Sequence, residues 1–275
     1  MRRVLLRSVA VLAIVVVALS AAVAWIVHTP AGLAWSLARV QGAVAGMVLQ
    51  DATGTWADGV AIRHIAFDAS DLKVSAEDVE LVLSPWSVLL ARPRITTLAA
   101  RRLEIVMLPG ESRTGAPDSL ALPIDMDIAS ARVDELTVER EGHREVFTGA
   151  FVSYAGGKRQ HELRELRAKH EMGRVQAKGI LSARSPFPLS AEAHVTLDKP
   201  APLGIDAQLG GTLTALSVQG EVRHAAATAR VHALVTPFES VPVSNIDVAA
   251  DDIDLRRFDA AMPRTQVSAR VSLAP

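Results

Sequence analysis

The spacing of hydrophobic positions changes character along the chain. From Val9 to Val27 every residue is uncharged and, apart from Ser20, apolar. About 19 residues at about 1.5 Å rise each reach about 28 Å, the thickness of a bilayer's hydrocarbon layer. Val9, Leu12, Ile14, Val17, Leu19, Trp25 and Ile26 are the expected anchor residues, with Trp25 where interfacial aromatics sit. Then Leu33, Leu37, Val40, Val44 and Met47 recur at steps of four and three, which predicts one face of an amphipathic helix over 29–49. Thr29 can cap its start, and Pro30 suits the first helical position.

After Leu49 the period falls to two. In 71–84 (DLKVSAEDVELVLS), Leu72, Val74 and Ala76 share one parity, whereas Val79, Leu81 and Leu83 take the other, as a bulge near Glu77-Asp78 would produce. Strands are predicted before and after it, over 60–67, 94–98, 101–108, 124–128, 132–139, 145–154, 162–170 and 174–181. Others follow over 189–197, 205–213, 216–222, 229–235 and 244–249. Ser84-Pro85 with the following WSVLLAR reads as a short capped helix crossing between strands. Residues 109–123 (PGESRTGAPDSLALP) read as an exposed loop. Short apolar stretches around charged centres repeat loosely and suggest stacked strand pairs.

The expected architecture is an all-β body behind an N-terminal transmembrane helix and a short amphipathic helix, with an elongated, curled antiparallel-type sheet forming a trough. The expected division is 1–28 anchor, 29–49 capping helix and 50–275 β-sheet domain. Leu72, Val74, Leu81, Leu83, Leu103, Ile105, Val195 and Leu197 are the candidates for an apolar, lipid-accepting face, whereas Glu80 and Glu104 are expected to point outward. Packing of apolar faces against each other would leave the same pattern.

Charge fixes the orientation. Arg2, Arg3 and Arg7 precede the apolar run and the next cation is Arg39, so the N-terminus is expected in the cytoplasm and the bulk across the membrane. A cleaved signal ending at Ala22-Val23-Ala24 is the alternative, but the run continues through Trp25, Ile26 and Val27. A net charge of −1 gives no footprint for nucleic acid. The chain has no cysteine, which removes thiol chemistry and disulfides and suits a periplasmic protein stabilised by its sheet.

No enzymatic constellation emerges. His161-Glu162 opens like HExxH, but position 165 is Glu, so no metal site is expected. His161, His170, His194 and His232 read as solvated strand positions. Residues 155–158 (AGGK) lack the spacing of a phosphate loop, and neither GxSxG nor GxGxxG occurs. No cofactor is expected.

WIVHTPAGLAWSL after the apolar run, GTWADGVAIRHIAF, DVELVLSPWSVLLARPRITTLAARRLEIV and SPFPLSAEAHV occur in that order. Together they resemble the N-terminal part of the TamB family, inner-membrane components of the translocation and assembly module within a wider AsmA-like group. The resemblance implies a periplasmic β-trough with an apolar interior, carriage of phospholipid, assembly or secretion of outer-membrane and autotransporter proteins, and a TamA-type outer-membrane barrel as partner. Family members are several times longer, so the resemblance marks an N-terminal fragment and assigns the barrel contact to a missing C-terminal region. The alternative is a purely structural, membrane-tethered periplasmic β-domain that binds partner proteins without carrying lipid.

Overall fold

The structure, a computed structural model, describes residues 20–84, 87, 93–108, 117–199, 202–224, 227–238, 243–253 and 267–273. The anchor candidates Val9, Leu12, Ile14, Val17 and Leu19 lie outside the described residues, as do most of the expected 84–92 helix and residues 109–116 of the loop. Among the described residues no single helix is long and apolar enough to cross a membrane. Two consecutive helices, α1 (Ser20–His28) and α2 (Pro30–Ala43), pass that test together but bend by 90° at their junction.

Thr29 makes the corner. Its hydroxyl donates to the Trp25 carbonyl at 2.6 Å and accepts the Gly32 N–H at 3.0 Å, while Pro30 opens α2 without needing a hydrogen-bond partner. The helix stops at Ala43 rather than near Leu49, and Met47 begins a strand. Gly46 turns the chain with φ +80, and a Cβ there would collide with the Asp68 carbonyl oxygen, which is why glycine occupies it.

The strands are β1 (Met47–Thr55), β2 (Gly59–Asp68), β3 (Leu72–Leu83), β4 (Arg94–Met107), β5 (Met126–Arg140), β6 (His143–Gly156) and β7 (Gln160–His170). They continue as β8 (Gly173–Ser182), β9 (Pro188–Leu197), β10 (Leu203–Thr212), β11 (Ala215–His224), β12 (Ala227–Val235), β13 (Val243–Ile253) and β14 (Val267–Leu273). All belong to one open, curled 14-stranded sheet in chain order. The expected pairs 94–98 with 101–108 and 124–128 with 132–139 are each one continuous strand, and β1 and β14 add to the expected set.

One pair corrects the wholly antiparallel expectation. β4 and β5 run parallel, with Arg94 beside Asp127 and Met107 beside Arg140, whereas the other described neighbours are antiparallel. A parallel pair needs a connection that returns the chain to its starting end. The Pro- and Gly-rich stretch before β5 is that connection, and its second half is tied down: Leu120 N–H donates to the Ala183 carbonyl and Leu122 N–H to that of Gly157. Residues 117–123 are therefore fastened to the sheet rather than a free loop.

The parity change in β3 has a different origin from the expected bulge. Ala76 and Val79 pack on one apolar cluster, as do Ile62 and Ile65 on β2, although residues three apart in an ideal strand face opposite ways. Register is unchanged on either side, with Ile62 opposite Val79 and Ile65 opposite Ala76, so no residue is inserted. Instead Asp78 is left-handed at φ 51. It lies in a transverse row: the flanking registers align Asp51, Arg63, Asp78, Arg101, Asp134 and Gly149, and each adjoining pair interrupts the ladder. Asp51 and Gly149 are left-handed as well. The row flips the pleat across β1–β6 and keeps the apolar residues on one face.

Arg101 bridges Asp78 at 2.7 Å and Glu77 at 2.8 Å, and Arg102 bridges Glu135 at 2.9 Å, so the polar side chains freed by the flip pair with each other. These pairs are solvent-exposed and contribute little singly. Replacing Asp78 by Val, a β-branched residue in a left-handed position, should destabilise by about 1–2 kcal/mol in chemical denaturation, and by more than Asp78→Gly.

Candidate functional site

Residues opposite one another in a sheet share a face, so the registers trace one surface across strands. It starts on the cluster of Leu33, Val60, Ile62 and Val79, with Leu81, Leu98 and Ala100 packed against it. From Val74 it passes to Ile105 and Val138, whose partner on β6 is Glu145, while the neighbouring row runs from Ala76 through Leu103 and Leu136 to Phe147. Farther along, Val175 opposes Val195, Val195 opposes Ile205, Ile205 opposes Val222, and Val222 opposes Ala229. From β7 through β12 this inner face carries no Asp, Glu, Lys or Arg.

All eight groove candidates share this face. Leu72 pairs with Met107, Val74 with Ile105, Ala76 with Leu103, Leu81 with Leu98 and Leu83 with Ile95. Val195 and Leu197 lie on the same face of β9, opposite Ile205 and Leu203. They divide into two environments, however. Leu81 packs against the cluster that α2 closes, where Leu33 is 1% exposed and Val79 5% exposed. Trp56 fastens this cap by donating its indole N–H to Ser36 Oγ at 2.8 Å.

Val195 and Leu197 have no such cover: among the described residues the strands contact their sheet neighbours, and no second layer lies over β7–β12. Yet inner residues of β8 and β9 are half-buried while most outer ones are exposed. Curling presses inner side chains sideways against each other and accounts for both facts. Sequence reading missed the inner positions of β10–β12, including Ile205, Leu209, Val218, Val222 and Val231; their alternation was the available signal, diluted by intervening Ala and Gly.

The outer face is polar and paired. Arg164 meets Asp127 at 2.7 Å, Lys178 meets Glu192 at 3.0 Å, and the Phe151 ring lies beneath the guanidinium of Arg167 at 4.5 Å. The hydrogen bond from His194 at 2.5 Å holds the Asp206 carboxyl below its ordinary range, and Arg223 adds to the effect. This is an exposed ion network on alternate strand positions, not a cleft with a reacting centre.

His194 and His232 are exposed as expected, whereas His161 and His170 are half-buried. His161 Nδ1 lies 2.6 Å from the Tyr154 hydroxyl and Nε2 lies 2.8 Å from the Leu120 carbonyl. A carbonyl only accepts, so Nε2–H donates to Leu120, and in the neutral imidazole Nδ1 is left to accept from the Tyr154 hydroxyl. His170 is half-buried 2.9 Å from Glu145. The His161 contact pins the β4–β5 connection along the rim where β5 begins. Beside it an open depression of about 770 Å³ is lined by Arg94, Asp125, Lys158 and Gln160 among others, with charges of both signs. Among the described residues no group of three or more His, Asp or Glu is placed to hold a metal ion.

Residues 19–119 match the family model described as TamB, N-terminal domain. By that match, this stretch is similar to the TamB N-terminal domain. The matched TamB stretch contains α1, α2 and β1–β4, hence the capped cluster and the first part of the transverse row, and it ends in the connection that precedes the parallel strand. WIVHTPAGLAWSL, GTWADGVAIRHIAF and DVELVLSPWSVLLARPRITTLAARRLEIV fall inside it, whereas SPFPLSAEAHV falls beyond. No curated protein and no solved structure matches the chain.

Proposed function

We propose that this chain is a non-enzymatic, inner-membrane-anchored periplasmic scaffold of the translocation and assembly module, and that its inner face receives phospholipid acyl chains on their way to the outer membrane. The observation that carries this reading is the apolar face of β7–β12, free of Asp, Glu, Lys and Arg and uncovered among the described residues. An acyl chain laid there removes its own methylenes and the wall's from water, at about 0.8 kcal/mol per buried CH₂. The match of residues 19–119 to the TamB N-terminal domain supports the module and the inner-membrane setting. Assembly or secretion of outer-membrane proteins and engagement of a TamA-type barrel belong to the same proposal.

The capped cluster divides the labour. Beneath α2 the face is a packed core that holds the fold, and the conduit runs over the strands beyond it. The competing reading, a structural tether that binds only proteins, predicts a face that retains no lipid. Native mass spectrometry of the chain extracted in mild detergent separates the two. Retained phospholipid, lost when the inner face is made polar, is the expected result; a lipid-free protein throughout would overturn the conduit.

A further inference from the structure

α2 is buried on one side only, and the chemistry of its other side names what lies against it. The helix PAGLAWSLARVQGA sets Leu33 and Leu37 on the sheet. At 100° per residue the opposite side carries Ala31, Trp35, Ala38 and Gly42, with Arg39 at its margin. All five are exposed, yet four are apolar or small, so α2 carries a second, narrower apolar side opposite the one set on the sheet.

The corner with α1 shows which way that side points. The Trp25 and Trp35 rings meet edge to face with centroids 6.5 Å apart, so the outer side of α2 turns toward α1. Gly32 makes the close approach possible, since a Cβ there would collide with the Trp25 carbonyl oxygen and with Ile26 Cα. α1 is the end of the apolar run read above as the anchor, and α2 leaves it at 90°. If α1 rises out of the bilayer, α2 lies in the plane of its surface with Trp35 downward and the sheet above.

Charge agrees with this placement. No acidic residue occurs before Asp51, and between Arg7 and Asp51 the only Asp, Glu, Lys or Arg is Arg39. Its guanidinium stands 5.3 Å from the Trp35 ring centroid, and a cation beside an amphipathic aromatic is the pairing that suits a layer of lipid phosphates. Trp25 and Trp35 are 44% and 47% exposed, as amphipathic rings are when their neighbour is an interface rather than protein.

We infer that α2 is an interfacial helix whose Ala31–Trp35–Ala38–Gly42 side rests in the headgroup layer of the bilayer, docking the first edge of the sheet on the membrane surface. This rests on the anchor reading but adds a second, peripheral contact and fixes how the apolar face meets its lipid source.

The chain has no cysteine, so single nitroxide labels can be placed on the full chain in phosphatidylethanolamine–phosphatidylglycerol vesicles at Ala31→Cys, Ala38→Cys and Gly42→Cys, with Gln41→Cys on the flank and Val17→Cys in the apolar run. The expected result is oxygen accessibility above that of a water-soluble nickel chelate at 31, 38 and 42, reversed at 41. Nickel accessibility dominating at all four positions would place the helix in water, and low values for both reagents at 31, 38 and 42 would place it against protein; either overturns the inference. Val17 reads the anchor separately, because high oxygen access there with a water-exposed α2 defeats the interfacial helix alone.

Discussion

Val195→Asp is expected to leave the protein folded and to abolish its retention of phospholipid. Val195 lies mid-strand on β9 between Val175 and Ile205, half-buried by lateral contact and, among the described residues, covered by no other layer. A carboxylate there keeps its water, so the cost is the lost apolar contact and strand preference, about 1–2 kcal/mol, not the larger penalty of an enclosed charge. For an acyl chain the same carboxylate puts a hydrated charge in its path. Denaturant midpoints should therefore move little while lipid adducts disappear from native mass spectra. Gln176→Asp is the outward control: the registers set it between Arg167 and His194, and both stability and bound lipid should stay as they were. Unfolding of the Val195 variant would mean that β9 belongs to a closed core.

Leu33→Asp should behave in the opposite way. Leu33 is enclosed by Val60, Ile62 and Val79, the small cluster that joins α2 to the sheet. An aspartate there loses the packing of a buried leucine and gains an unpaired buried carboxylate, so a loss of about 3–5 kcal/mol is expected in chemical denaturation. Leu81→Asp, at the half-buried edge of that cluster, should follow in direction with a smaller effect. A Leu33 variant as stable as the parent would show that α2 does not hold the first strands.

The contrast between Val195 and Leu81 marks how far the sequence could be read. Both stand in alternating strands, and alternation assigns a face; it does not say what covers that face. The cover on Leu81 comes from Leu33 and Leu37, whose helical spacing was visible but whose docking partner was not. β1 was hidden because Met47 continues the helical spacing of α2 and the apolar residues soon give way to QDATGT. The parity change at Asp78 was legible as a fault in the pattern, but a bulge and a left-handed residue leave the same trace, and only the unbroken register tells them apart. Strand direction has no periodicity, so the parallel β4–β5 pair could not be anticipated. The anchoring of residues 117–123 is made largely by backbone groups, to which composition is blind.

The central claim is that lipid occupies one face of the sheet and not the other. Its most direct test places a photoreactive amino acid singly at Val195, Ile205 and Val231 on the inner face and at Gln176, Gln208 and Gln219 on the outer, in the full chain in native membranes, and identifies the adducts by mass spectrometry. The structure predicts phospholipid adducts at the three inner positions and none at the outer ones. Equal lipid capture from both faces, or inner positions that yield only protein adducts, would contradict it.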